Sequence, residues 1–326
     1  MTAVDQRPPI ENPIKAKRGT PAALWEDVAA FKEMLISELQ IESSAMLLDP
    51  HYAYPRGVAL LDPAIGMILT LEDSAFQETA AGRLSARIDD WSVEKIKRAG
   101  GDAVKVLTWY RPDASASVCA AQQDFTQRIG EACRKYDLPF VFELLLYPLA
   151  SDVERTQDYI EMRSKQPERV LQSVSTFSHP RFGVDLFKLE SPLAARDLPE
   201  PGTHHSGTAQ NWFNQIGAAA GRPWVMLSAG ASMLEFRRVL HYAYQAGASG
   251  YLAGRAIWLN AFQHFPDWNA ICTALRAEAI PYMRELNALT DAQARPWLTH
   301  PVYGNAGASV HPADASFRHN YPGFGD

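Results

Sequence analysis

Cysteine is scarce in this chain, with three in 326 residues: Cys119, Cys133 and Cys272. The number is odd and no CxxC spacing occurs. That argues against a disulfide framework or a cysteine-bound zinc, and it fits a reducing, cytoplasmic setting. No stretch approaches the roughly 18 uninterrupted apolar residues that a membrane helix needs. The first ten residues include Asp5, Arg7 and two prolines, so they hold no secretory apolar core. Basic residues are outnumbered, and the net charge of -6 argues against a surface that reads nucleic acid. The nine histidines include no HExxH pair, so a metal-dependent mechanism is not expected. Neither GxGxxG nor GxxxxGK[ST] occurs, which removes the usual nucleotide-binding fingerprints. What remains is an ordinary globular balance, 47% hydrophobic and 21% charged, too apolar for a largely disordered chain.

Short aliphatic runs alternate with longer segments of helical period. The runs fall at 2–7, 44–49, 66–72, 103–110, 140–147, 185–191, 225–230 and 250–257. Several are nearly continuous in apolar residues, the mark of parallel strands buried on both faces. Helices are expected at 22–42, 92–100, 117–136, 168–177, 208–220, 233–246 and 267–289. Ser92 is placed to cap the second of these, and the cysteines fall in helices, where packing is their expected role. The run starts recur about every 35 residues, enough for a strand, a crossover helix and two loops. Eight such units predict a (β/α)8 TIM barrel over 1–295. The tail at 296–326 is rich in Pro, Gly, Ala and Asn and reads as an irregular extension packed on or beside the barrel. The first strand begins at the second residue, with nothing before it to cover the barrel bottom, so the N-terminus reads as truncated.

Only nine lysines are present, and two of them interrupt apolar runs: Lys105 in AVKVLTWY and Lys188 in DLFKLES. Asp5 in TAVDQR and Glu143 in FVFELLLY do the same. Desolvating a charge costs several kcal/mol, so four such residues in one barrel call for a purpose. They could be an ion-pair network that fills the interior, but such pairs seldom stabilise more than apolar residues of equal size. The chemical reading is stronger. A lysine is nucleophilic only when neutral, and burial beside another cation favours the neutral amine. Such an amine can attack a ketone to give an imine, an electron sink for carbon–carbon cleavage. Glu143 is the candidate for moving protons, and Asp5 for receiving a substrate hydroxyl.

The last two runs carry a second signal. Ser228-Ala229-Gly230 ends one, and Ala253-Gly254-Arg255 lies in the other. Loops after the seventh and eighth barrel strands frequently hold a phosphate, where glycine lets backbone amides approach and an arginine adds a charge-assisted contact. Glu190 shares the parity of Lys188 and could support it or form a strand-end ion pair. His51 and His204-His205 read as loop histidines.

The segments AVDQRPPI, SSAMLLDP, GGDAVKVLTWY, PFVFELLLYP, RFGVDLFKLESP, WVMLSAGAS and GYLAGRAIW, in that order, resemble the tagatose-1,6-bisphosphate aldolase family of class I aldolases. The resemblance implies that Lys188 forms a Schiff base, with Lys105 as its neighbouring lysine and Glu143 as acid–base. It implies that Asp5 contacts substrate hydroxyls, that Arg7 faces the ligand, and that Ser228, Ala229, Gly230, Gly254 and Arg255 bind phosphate. It further implies a metal-independent enzyme acting on a small sugar phosphate, with homo-oligomerisation left open. The Pro-Pro after DQR departs from the family pattern, whose members carry further residues ahead of DQR. Sulfofructose-phosphate aldolases share LAGR-x-W and the same lysine, so the ketose stays open. A non-catalytic sugar-phosphate-binding barrel is the reading from a different class.

Overall fold

A computed structural model describes residues 1–149, 152, 162, 164–309 and 314–321. Eight parallel strands form one sheet: β1 (Thr2–Ala3), β2 (Ala45–Leu48), β3 (Gly66–Thr70), then, after a two-stranded hairpin of β4 (Gln77–Thr79) and β5 (Gly82–Leu84), β6 (Ala103–Trp109), β7 (Phe140–Leu145), β8 (Leu186–Leu189), β9 (Trp224–Met226) and β10 (Gly250–Tyr251). Each strand of the sheet pairs in parallel with the next. A parallel bridge between Thr2 and Ala253, with Ala3 N donating to Ala253 O at 2.8 Å, returns the last strand to the first. The sheet is thus a closed (β/α)8 barrel, as the run spacing predicts.

Helices lie between the strands because the apolar period of each crossover is 3.6 residues. They are α1 (Pro8–Arg18), α2 (Trp25–Leu39), α3 (Ala53–Gly57), α4 (Val93–Arg98), α5 (Ala116–Lys135), α6 (Pro167–Phe177), α7 (Ser206–Ala220), α8 (Met233–Gln245), α9 (Arg255–Phe262), α10 (Trp268–Ala274) and α11 (Ile280–Gln293), with a short α12 (Phe317–Asn320) in the tail. In α2, Val28, Phe31, Leu35 and Leu39 are fully buried, the stripe expected from their spacing. Ser92 caps α4 by accepting from Lys95 N. None of the helices is long and apolar enough to cross a membrane among the described residues.

Three sequence expectations change. The first run, 2–7, is a strand only at Thr2–Ala3, and α1 follows from Pro8. Proline at the first helical position loses no hydrogen bond and has its φ already set. Of the run at 225–230 only Val225 and Met226 are strand, with Trp224 added ahead of them, because Ala229 and Gly230 both take positive φ, +46° and +83°, and turn the chain. The run at 250–257 is a strand at Gly250–Tyr251 and a helix from Arg255. The short polar hairpin β4–β5 has no counterpart in the apolar pattern.

The barrel interior is layered. Ala3, Leu47, Ile68, Ala103, Val141, Val225 and Leu252 form an apolar floor. Leu107, Trp109, Leu145, Tyr147, Leu227 and Ala229 form a second apolar cluster higher up, on the β6, β7 and β9 side. The charged residues occupy the layer between.

Candidate active site

Strand register places the four charged residues. Glu143 on β7 and Lys188 on β8 are direct partners across neighbouring strands, so their side chains share the inner face. Lys105 on β6 pairs with Thr70 on β3, and Leu107 pairs with Glu143, which sets Lys105 diagonally below Glu143 on that same face. Asp5 follows β1. All four are at least nine-tenths buried.

Their contacts converge. One oxygen, Glu143 Oε2, lies 2.9 Å from Lys105 Nζ and 2.9 Å from Lys188 Nζ. Lys105 Nζ also donates to Asp5 Oδ2 at 2.9 Å and to Glu72 Oε1 at 2.5 Å. Thr70 Oγ1 donates to Asp5 Oδ2 at 3.0 Å. Arg7 Nη2 donates to the Glu72 carbonyl at 3.0 Å and stands 4.0 Å from Glu72 Oε1. Glu72, which ends the third apolar run, is missing from the sequence expectation. The signal was weak: Glu72 ends its apolar run rather than interrupting it, although it is two residues beyond Thr70 and shares its parity.

The electrostatics follow from this crowd. Burial pulls the Lys105 ammonium down, but Asp5, Glu143 and Glu72 outweigh it and hold Lys105 well above the usual lysine range. For Asp5, burial pushes upward, yet Lys105, Lys188 and Arg7 bring its carboxyl below the ordinary range. Glu143 behaves likewise, burial opposed by Lys105 and Lys188, with a net fall. Glu72 goes the other way: burial, with Asp5 added, overcomes Lys105 and Arg7 and raises it.

Above this cluster opens a cavity. Asp5, Arg7, Lys105, Glu143, Lys188, Ser228, Ala229, Gly254 and Arg255 all line it, joined by Gln6, Glu72 and Ser74 and by leucines at 107, 145, 227 and 252. Gly230 lies just behind: its φ of +83° favours glycine, and a Cβ there would be in ordinary contact with Arg255 Nη1 at 3.4 Å. Gly254 is required by packing, since a Cβ would meet Ala3 O at 2.5 Å and Gln6 Nε2 at 2.7 Å. Arg255 is the first residue of α9, where the helix dipole favours an anion.

Other polar residues of the sequence reading fall outside the cluster. Glu190 bonds Leu146 N at 2.7 Å and pairs with Lys165 at 3.2 Å, which makes it a strand-end ion pair. His204 and His205 lie in the exposed turn before α7.

Residues 1–260 match the model for the DeoC/LacD family aldolases. The tagatose 1,6-diphosphate aldolase 2 of Enterococcus faecalis is 32% identical over 303 residues, 90% of each chain. The tagatose 1,6-diphosphate aldolase 1 of Streptococcus mutans is 31% identical over 90% of this chain and 92% of its own. Among solved structures, the fructose-bisphosphate aldolase of Plasmodium falciparum aligns with a TM-score of 0.61 at 14% identity, covering 90% of both chains. A Schiff-base-forming fructose-1,6-bisphosphate aldolase aligns at 0.56 and 18% identity, over 89% of this chain and 93% of that one. The structural likenesses speak for the barrel. The sequence match over most of the chain carries more: this chain belongs to the DeoC/LacD aldolase family.

Proposed function

We propose that the protein is a metal-independent class I aldolase that cleaves a phosphorylated ketose, tagatose 1,6-bisphosphate first, into dihydroxyacetone phosphate and glyceraldehyde 3-phosphate. The observation that carries this reading is the single Glu143 oxygen 2.9 Å from two lysines at the bottom of the cavity. Three carboxylates ring Lys105 and favour its ammonium. Lys188 has one carboxylate at 2.9 Å, Glu143, among the described residues. Lys188 is therefore the nucleophile, and Lys105 a fixed cation that balances the acids.

The steps follow from these positions. Lys188, its proton passed to Glu143, attacks the C2 carbonyl. Glu143 returns a proton to the carbinolamine hydroxyl, which leaves as water and gives the iminium. The C4 hydroxyl then loses its proton toward Glu143, with Asp5 in reach to orient it. The C3–C4 electron pair flows into the iminium, releasing glyceraldehyde 3-phosphate and leaving an enamine. Protonation at C3 and attack of water on the imine carbon free dihydroxyacetone phosphate. Ser228, Ala229, Gly230, Gly254 and Arg255 would grip the C1 phosphate, as glycine-bordered turns after the last strands of a barrel do.

The same reading takes 1–295 as the catalytic barrel and 296–326 as a tail beside it. Tyr321 Oη donating to Asp137 Oδ2 at 2.7 Å supports that placement. A cytoplasmic enzyme acting on a diffusible sugar phosphate fits the cysteine usage. The test is borohydride reduction with dihydroxyacetone phosphate in the presence of EDTA, followed by intact mass. One reduced adduct per chain, mapped to Lys188, is expected. No adduct, or one formed only when zinc is restored, refutes the reading.

A further inference from the structure

The charged layer is not fully satisfied, and its unsatisfied atoms are clustered. Glu72 Oε1 is held by Lys105, but Glu72 Oε2 is buried without a hydrogen-bond partner among the described residues. Arg7 uses Nη2 on the Glu72 carbonyl, while its Nε and Nη1 are buried and have no hydrogen-bond partner among the described residues. Both side chains line the cavity. A buried carboxylate oxygen left without a donor is costly, so such an atom on a side chain that lines a cavity points to a partner supplied from outside the chain.

Topology says which part of a substrate reaches it. Around the closed sheet, β3 is the third strand and β9 the seventh, so Glu72 stands across the mouth from Ser228–Gly230. A ketose held by its C1 phosphate at the ends of β9 and β10, with C2 on Lys188 of β8, must extend its remaining carbons toward β1 and β3. Glu143 bonds Lys188, and Asp5 carries a charge that Lys188 stabilises, so these two take the C4 hydroxyl. Glu72 lies one step farther on. We infer that Glu72 is a specificity residue whose free Oε2 accepts the hydroxyl on C5 of the ketose, which is C2 of the aldehyde product, with the unpartnered Arg7 nitrogens beside it receiving an oxygen of the same half.

This inference rests on the aldolase reading, and one experiment separates the two. In the condensation direction, dihydroxyacetone phosphate is supplied with glyceraldehyde 3-phosphate or with 3-oxopropyl phosphate, the same aldehyde without its hydroxyl. The wild-type kcat/KM should favour the hydroxylated aldehyde by about tenfold or more, the range for a hydrogen bond to a charged group. Glu72→Gln should erase most of that preference. A wild-type enzyme that uses both aldehydes equally overturns the inference without any variant. So does a Glu72→Gln enzyme that is slower with both by the same factor, because Glu72 would then only balance Lys105. If the wild type traps no adduct with dihydroxyacetone phosphate, the aldolase reading fails and takes this inference with it. A trapped adduct without aldehyde preference leaves that reading standing and removes this inference alone.

Discussion

The molecule buries lysine–carboxylate contacts in two different ways. Lys32 on α2 pairs with Asp49 just beyond β2, and both side chains are fully buried. Every oxygen of that carboxylate is used: Oδ2 meets Lys32, and Oδ1 accepts from His51 N at 3.0 Å and Tyr52 N at 2.9 Å. The Tyr52 ring covers the ammonium at 5.4 Å. In the barrel layer, by contrast, one Glu143 oxygen is shared by two lysines, and Glu72 and Arg7 keep unpartnered atoms beside a cavity. The first arrangement is closed and holds a turn. The second is open and incomplete until something enters. Buried charge alone does not mark a site; unsatisfied buried charge facing a cavity does.

The contrast can be broken at its strongest point first. Lys188→Ala should abolish turnover and the borohydride-trapped adduct while sugar-phosphate binding persists; an adduct that moves to Lys105 would reverse the assignment of the two lysines. Glu143→Gln keeps shape and polarity but removes the titrating group, so turnover should fall by about 10²- to 10⁴-fold, with slow accumulation of adduct on long incubation. A Glu143→Gln protein whose sole defect is a lower melting temperature would place the open cluster in the same class as Lys32–Asp49.

Arg255→Ala should raise KM for the ketose phosphate by roughly ten- to a hundredfold, as expected for losing one charge-assisted contact. An unchanged KM would locate the phosphate elsewhere, with Arg7 the next candidate. The smallest effect on chemistry is expected from the closed pair. Lys32→Met strands a buried carboxylate and should lower stability by about 3–5 kcal/mol in denaturant titration, with turnover of the folded protein near normal. A large loss of kcat without loss of stability would show that the closed pair also serves the reaction.

Much of this was readable from the chain. Lys105, Glu143 and Lys188 each interrupt an apolar run, and a charge in a strand that must be buried on both faces has few places to point except the barrel axis. Glu72 escaped notice because it ends its run rather than interrupting it. Lys32 escaped for a different reason. On a helix with Phe31 and Leu35, it has the look of a solvated position at the edge of the apolar stripe, and its burial depends on Asp49 from another element.

The sequence by itself determined the number of βα units, the parallel sheet and the charged residues of its interior, because each rests on local period and on the cost of burying charge. The tertiary structure alone decided where strands give way at Val4, Leu227 and Leu252, since those ends depend on neighbouring strands and on close backbone approach. It alone decided which lysine is locked by three carboxylates and which has one, because the placement of five strands sets distances that no single segment contains. It alone left Glu72 Oε2 and two Arg7 nitrogens without partners among the described residues, a property of how the segments that follow β1 and β3 approach each other across the end of β2.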